Sequence, residues 1–314
     1  NIKQLGGSGL IITVNIPEDQ QEMYQPGILN TVSSGGKTWG FPHAFSTKAL
    51  FINCGLVEEA GMACVAPKTW TGMYAMAKAI NDNTSAAGIG ITGKDFDNTM
   101  HQFLNYLYSN GGSVNDADTG EITFNSPETI ETLEFYGKLA GVAQEGPMGY
   151  ERGQLTQLYN DGQIGMYING PWGAGQHNDN IAEIVAPIPA GPSSSSGTLL
   201  ITDSIAVFKG SANEDLAMEL AMMLSSGDAQ YDLDKSWGLT PIMQYEKMMD
   251  DAYYTTDYWQ TFVAPIGSGG PEPMFEDFKA LQAGINGAIQ GMILGEGSAA
   301  DLVAEAAEIL AEGN

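Results

Sequence analysis

The chain has 314 residues, of which 12 are basic and 38 acidic, so its formal charge is −26. Hydrophobic residues make up 43% of it, which indicates a folded protein and excludes a disordered acidic tail. Such a charge also argues against nucleic acid and anionic lipid surfaces as partners, because both are bound through clustered Lys and Arg.

Strands and helices alternate along the chain, which predicts an α/β fold with mainly parallel sheets. Residues 1–40 are rich in glycine and lead through a turn at Gly35-Gly36 into a hairpin. The predicted strands are Ala49–Asn53, Gly88–Thr92, Gly165–Asn169, Ile184–Pro187 and Ser204–Phe208. Helices are predicted at Val57–Gly61, from Thr69 to Ile80, at Met100–Ser109, from Ser126 to Ala140, at Tyr150–Asp161, from Asn213 to Leu224, at Met274–Leu294 and from Ser298 onward.

Two cysteines, Cys54 and Cys64, stand ten residues apart with a predicted helix between them. They match no zinc-binding spacing, because neither a CxxC pair nor two nearby histidines accompany them. A disulfide between them is one possibility, but the intervening helix favours two thiols.

The sequence contains no motif of a known catalytic centre: GxSxG, HExxH, the P-loop and the kinase signatures are all absent. Among 38 acids, a pair of carboxylates for glycoside hydrolysis could exist, but no pair stands out. Arg152 is the only arginine, so a phosphate or dicarboxylate held by several arginines is not expected, and a neutral ligand fits better. No cofactor or metal site is predicted.

Tryptophans beside glycine and proline are the most distinctive feature. Trp39, Trp172, Trp237 and Trp259 lie in or beside predicted loops, whereas Trp70 follows a helix cap and is expected in the core. A flat ring next to a turn can stack on the apolar face of a sugar. Trp172 follows the predicted strand Gly165–Asn169, and open α/β sheets place ligands at the carboxyl ends of strands.

An ordered set of segments resembles the extracellular solute-binding proteins of ABC importers, and within them the maltose- and oligosaccharide-binding branch. The set spans nearly the whole chain, and Asn169-Gly-Pro-Trp172 is its strongest element. The segments are Gly36–Pro42, Ala49–Asn53, Pro67–Trp70, Asn110–Gly112, Gly165–Trp172 and Trp237–Pro241.

The resemblance implies a two-lobed, type II periplasmic-binding-protein-like fold with a ligand cleft between the lobes and closure by a hinge. Lobe one would hold residues 1–45 and 203–243, and lobe two residues 49–200 and 245–314. The chain would cross between them near 45–49, 200–203 and 241–245. Relatives begin with a further βαβ unit that has no counterpart in the numbered sequence, so the opening unit of lobe one is expected to be missing.

The resemblance also implies a receptor that captures a mono- or oligosaccharide and delivers it to the permease of an ABC importer. Such a protein would be extracellular, on the cell surface or periplasmic, and monomeric. It would be a lipoprotein tethered through an N-terminal anchor outside this sequence, and it would not be an enzyme. The acidic composition suits a halophilic organism.

Nine residues are carried over as ligand-binding candidates: Trp172, His43, Phe45, Ser46, Asp97, His101, Trp237, Thr240 and Glu272. Ser46 stands where maltose-binding relatives carry an acid, which argues against maltose itself. Three other functions stay open: a glycoside-active enzyme, a receptor of the same fold for a cationic ligand, and a surface protein without a transport role.

Overall fold

The computed structural model of the protein describes residues 2–116, 119–194, 196–248 and 250–314. The strands are β1 Ser33–Ser34, β2 Lys37–Thr38, β3 Phe41–Ser46, β4 Ala49–Asn53, β5 Met166–Asn169, β6 Glu183–Ala186, β7 Leu199–Ile205 and β8 Gly270–Pro271. The helices are α1 Ile2–Gly7, α2 Glu18–Met23, α3 Cys54–Glu59, α4 Trp70–Asn83, α5 Asp97–Ser109, α6 Pro127–Ala140, α7 Arg152–Asn160, α8 Glu214–Leu224, α9 Gly227–Trp237, α10 Asp257–Val263, α11 Phe278–Leu294 and α12 Ala299–Gly313. Within the described ranges, no helix is both long and apolar enough to cross a bilayer.

The predicted helix starts at Thr69, Ser126 and Ser298 are confirmed. In each case the hydroxyl oxygen accepts a hydrogen bond of 3.2 Å from the backbone N–H three residues later, as an N-cap does. Trp237 is the last residue of α9 and so lies beside a loop, as expected, whereas Trp259 lies within α10.

The chain divides into two compact units. The first comprises the chain up to Thr47 together with Leu200–Phe278, and the second comprises Lys48–Leu199 and Lys279–Asn314. Residues 245–278 thus belong to the first unit, where the sequence-based division had them in lobe two. They lie there because Tyr254 and Trp259 are buried in the apolar cluster of that unit.

The first unit is built on a sheet in the order β3-β7-β8, with β3 and β7 antiparallel. Its apolar cluster contains residues from segments far apart in sequence, among them Val14, Phe41, Tyr231, Ile242 and Trp259. Burial of this surface is the main force that holds those segments together.

The second unit has β4 at the centre of its sheet, antiparallel to both β5 and β6. All five residues of β4 and all four of β5 are buried. The prediction of mainly parallel sheets is therefore wrong for the named ladders. The segment predicted as the strand Gly88–Thr92 forms single parallel bridges instead, one of them from Gly90 to Tyr167 of β5.

Cys54 and Cys64 form a disulfide, with their Cα atoms 5.3 Å apart, so the expectation of two thiols is wrong. The helix between them, α3, ends at Glu59, and Gly61 adopts a positive φ of 81°. Glycine takes that conformation without steric cost, and it turns the chain back so that Cys64 reaches the start of the helix. Disulfides of this kind persist in oxidising compartments outside the cytosol.

Replacing both cysteines by serine should lower the free energy of unfolding by about 2–3 kcal/mol, because the bond restricts the unfolded chain. Urea denaturation followed by far-ultraviolet circular dichroism measures this loss. Reducing the native protein with a thiol reagent should produce a similar shift, whereas equal midpoints before and after reduction would contradict the prediction.

Candidate functional site

Trp172 lies just beyond β5, in the short 3-10 helix Pro171–Gly175, with its side chain half-buried. Gly170 is needed before it, because a Cβ at that position would collide with the six-membered ring of the indole. Gly173 is needed after it, since a Cβ there would come within 2.6 Å of the Phe51 ring. The indole therefore packs directly on the backbone of Gly170, and the turn that carries it packs on the Phe51 ring.

A chain of hydrogen bonds holds the indole from behind. Nε1 of Trp172 donates to Oδ1 of Asn169 at 3.1 Å, and Nδ2 of Asn169 donates to the Tyr167 hydroxyl at 2.8 Å. The Tyr167 hydroxyl lies 2.5 Å from Nε2 of His177, whose Nδ1 lies 2.8 Å from Oε2 of Glu183. If Tyr167 donates to His177, each group in the chain has a partner of the right kind. Connected networks of this type make a side-chain orientation rigid.

Replacing Asn169 by leucine should lower the free energy of unfolding by about 1–3 kcal/mol. The substitution removes the acceptor used by both the Trp172 indole and the backbone N–H of Gly170. Urea denaturation of the variant tests this, with Asn83→Leu on the exposed side of α4 as the matched control. Equal losses in the two variants would contradict the role of Asn169.

Two cations lie against the same indole. Nζ of Lys48 and Cζ of Arg152 are each 5.1 Å from the ring centroid of Trp172, within the range of a cation–π attraction. Only 3% of Lys48 is exposed. The pKa of the Arg152 guanidinium is lowered, chiefly by burial, while the Asp97 carboxylate acts in the opposite direction. Positive charge is therefore concentrated at one aromatic ring of a chain that is otherwise strongly acidic.

A small depression of the second unit is lined by one face of α5 and by the two cations. The residues of α5 that line it recur at helical spacing, so they lie on one side of the helix. The lining residues of the depression are Lys48, Thr92, Asn98, His101, Gln102, Asn105, Arg152 and Ile168. Beside it, one oxygen of the half-buried Asp97, Oδ1, is shielded from solvent and has no hydrogen-bond partner in the described part of the chain. The depression thus combines hydrogen-bonding side chains with charged ones.

Two of the lining residues, Gln102 and Asn105, stabilise the wall that α5 forms in this depression. Oε1 of Gln102 accepts hydrogen bonds from the Thr92 backbone N–H at 2.7 Å and from the Tyr136 hydroxyl at 2.6 Å. Oδ1 of Asn105 accepts from the backbone N–H of Leu199 at 2.9 Å. These bonds anchor α5 to its neighbours and so keep its remaining polar side chains in place.

Trp172, Asp97 and His101, three of the predicted site residues, all lie near Arg152. Trp172 is in contact with it, Asp97 acts on it electrostatically, and His101 shares the depression with it. The sequence reasoning missed both Lys48 and Arg152. The available signal was that Arg152 is the only arginine in so acidic a chain.

Phe45 and Thr240, two of the six candidates in the first unit, belong to its interior. Phe45 is 1% exposed and is part of the apolar cluster. Thr240 is fully buried, and its hydroxyl accepts a hydrogen bond of 3.1 Å from the backbone N–H of Thr47. Both residues are therefore part of the core of this unit, and their role as ligand contacts stays a prediction.

The other four candidates of the first unit, His43, Ser46, Trp237 and Glu272, stay predictions. His43 is half-buried, its Nδ1 is 2.9 Å from the Gln230 amide nitrogen, and burial lowers its pKa. Ser46 is buried at the end of β3, while Trp237 is 60% exposed at the end of α9. Glu272 lines a separate depression of that unit.

Among the residues that the structure describes, no three His, Cys, Asp or Glu side chains are grouped as a metal site requires. The side chains described around Trp172 in the second unit are an oriented indole, two cations, an amide and a carboxylate. Such a set can bind a small polar ligand with an apolar face.

The family model of the bacterial extracellular solute-binding proteins matches residues 8–231. A binding protein of Brucella abortus (strain 2308) is 28% identical over 279 residues, which are 87% of this chain and 67% of that protein. The solute-binding protein of Thermotoga lettingae TMO bound with α-D-tagatose has a TM-score of 0.85 and 22% identity, covering 99% of this chain and 82% of that one. Maltose-bound MalE3 of T. maritima has a TM-score of 0.82, with the same identity and coverage.

At 22% identity, the two solved structures show that the fold is shared and nothing finer. The family model covers well over half of the sequence, and it confirms the resemblance read from the ordered segments. The chain therefore belongs to the family of bacterial extracellular solute-binding proteins.

Proposed function

We propose that this protein captures a sugar and delivers it to the permease of an ABC importer. The observation that carries the proposal is the half-buried Trp172, which packing and a chain of hydrogen bonds hold in one orientation. A rigid indole can stack on the C–H face of a sugar ring at little entropic cost. The ligands bound in the similar structures, tagatose and maltose, are also sugars.

Polar groups beside the indole supply the hydrogen bonds that sugar hydroxyls need. Asp97 has a buried oxygen that can accept from a hydroxyl, and Asn98 and His101 line the same wall. In this proposal Trp172 is the stacking residue, and Asp97 and His101 orient the ring. His43, Ser46, Trp237 and Glu272 are further contacts that depend on the ligand's size.

The second candidate function is a receptor of the same fold for a cationic ligand. The charges at Trp172 argue against it, because Lys48 and Arg152 would repel a polyamine. A glycoside-active enzyme would need two carboxylates flanking the bond to be cut. No pair of carboxylates stands out around Trp172 in the described part of the second unit, and we propose binding without turnover.

The compartment, the membrane tether and the kind of organism are part of the same proposal. We place it outside the cytoplasm as a monomer tethered to the membrane, in an organism that lives at high salt. The disulfide fits an oxidising compartment, and the charge of −26 fits solubility in salt.

Thermal unfolding in the presence of a sugar panel tests the proposal. A ligand that binds only the native state stabilises it by about 2.7 kcal/mol at one hundred times its Kd, so the melting temperature should rise saturably. The panel should contain tagatose, arabinose, maltose and longer oligosaccharides, with spermidine as the cationic control. Release of reducing sugar over time would indicate an enzyme, and a shift with spermidine alone would indicate the cationic receptor.

A further inference from the structure

We infer that the preferred saccharide carries a carboxylate, so that the ligand is an acidic sugar such as a uronic acid or its oligomer. This inference rests on the proposed function and names the class of sugar within it. It starts from the two cations at the stacking residue, which the sequence-based expectation of a neutral ligand did not include.

Positive charge is scarce in this chain, yet it is concentrated at Trp172. The whole chain has 12 basic residues against 38 acidic ones. Two of the twelve, one of them the only arginine, nevertheless converge on one indole at equal distances of 5.1 Å. A surface that only had to stack on a neutral ring would gain little from this charge.

The charge of Arg152 is balanced only in part by its neighbours. The carboxylates that act on it are those of Asp97 and Glu151, and Glu151 is paired with Lys94 at 3.5 Å. The charge of Glu151 is thus shared between Arg152 and Lys94, so it balances that of the guanidinium only in part. A bound carboxylate would complete that balance.

The guanidinium of Arg152 is both partly desolvated and available to a ligand. The ion pairs found among the described residues do not include Arg152. Burial costs a charged group solvation, and this cost is recovered when a partner of opposite charge binds. A guanidinium presents its N–H groups in a planar fork that matches a carboxylate.

The same geometry gives the sugar an orientation. The C–H face of the ring lies on Trp172 while the carboxylate accepts hydrogen bonds from Arg152. The buried oxygen of Asp97 cannot face that carboxylate without repulsion, so it accepts from a hydroxyl elsewhere on the ring. In this orientation Asp97 accepts a hydrogen bond from a sugar hydroxyl, and Arg152 donates hydrogen bonds to the carboxylate of the sugar.

Matched sugar pairs test the inference directly. Isothermal titration calorimetry at low salt compares galacturonate with galactose and glucuronate with glucose, as monomers and as dimers. We expect the acidic member of at least one pair to bind about tenfold or more tightly than its neutral partner. Raising the salt from about 0.05 to about 0.5 M should reduce that preference, because screening weakens a contact between charges.

Variants identify the group responsible. Arg152→Gln should remove most of the preference, measured as the ratio of the Kd for the neutral sugar to the Kd for the acidic one, so that a general loss of affinity cancels. Arg152→Lys keeps the charge but loses the fork, so part of the preference should remain. Lys138→Gln is the control, because Nζ of Lys138 also lies over an aromatic ring, 4.1 Å from that of Tyr74, yet on the exposed face of α6.

The possible outcomes separate this inference from the proposed function. Equal or tighter binding of the neutral sugars would overturn the inference and leave a sugar receptor. A preference for acids that survives in Arg152→Gln would overturn the assignment to this guanidinium. Binding of no sugar in either form would overturn both. If Arg152→Gln does not fold, the sugar pairs and their salt dependence in the unmodified protein decide the question.

Discussion

Replacing Trp172 by alanine should weaken the binding of the preferred sugar by about 1–3 kcal/mol, which is roughly a 5- to 150-fold increase in Kd. The variant loses the flat apolar surface on which the ring stacks. It also leaves Lys48 and Arg152 without the indole that they now contact. Calorimetric titration of the sugar that gives the largest thermal shift measures the change.

Trp172→Phe is the matched variant for this test. It keeps an aromatic face but cannot donate to Asn169, so its affinity should lie between those of the native protein and the alanine variant. The melting temperature of both unliganded variants shows whether the fold is intact. An alanine variant that is folded and binds the sugar with unchanged affinity would contradict the stacking role.

Asp234 should make the protein less stable as the pH rises from about 4 to 7. The side chain is fully buried in α9, where Oδ2 accepts from the Ile242 backbone N–H at 3.0 Å and from the Tyr245 hydroxyl at 2.8 Å. Oδ1 is buried without a hydrogen-bond partner among the described residues. Burial therefore raises the pKa of this carboxyl from 3.8 to about 7, and the two hydrogen bonds offset only part of that rise.

The direction of the effect follows from where the proton is held more tightly. Below about pH 4 the carboxyl is neutral in both the folded and the unfolded state, and its contribution to the free energy of unfolding is at its maximum. Between the unfolded pKa and the folded one, only the native state keeps the proton, so the free energy of unfolding falls as the pH rises. Across the whole interval the loss is on the order of 4 kcal/mol for this group, and it stops above about pH 7.

Asp234→Asn isolates this contribution from that of the other acids. The amide oxygen can accept the same two hydrogen bonds, and the group does not ionise. The variant should match the native protein near pH 4 and become the more stable of the two by pH 8. Urea denaturation gives the free energy of unfolding of both proteins across this range. The contributions of the other carboxylates cancel in the difference, because both proteins share them. A stability difference that does not change with pH would contradict the shifted pKa.

The local structure could be predicted where side chains signal it directly. Hydroxyls at Thr69, Ser126 and Ser298 stand at helix starts, and each forms the expected cap. Strand direction could not be predicted in this way. Five helices separate β4 from β5 in sequence, and so long a connection can return the chain in either direction.

The site could be predicted in part. Trp172 was recognised because glycine and proline precede it at the end of a buried strand, and the structure shows that Gly170 makes room for the indole. Lys48 and Arg152 were missed because 104 positions separate them in sequence (152 − 48) and neither belongs to a motif. Only the folded second unit brings both to one ring.

The stretch around the cysteines shows the same limit. A helix between Cys54 and Cys64 argued against a bond, because a longer helix would hold the two ends apart. The helix ends after six residues, and a positive φ at Gly61 reverses the chain. The length of a short helix depends on packing that the local sequence does not reveal.

A crystal structure of the protein with its tightest-binding sugar is the most direct test of the central claim that Trp172 is the stacking platform of a sugar receptor. We predict one intact sugar with the C–H face of a ring against the Trp172 indole and polar contacts to Asp97, His101 or Arg152. A sugar bound away from Trp172, such as one confined to the depression at Glu272, would contradict the claim.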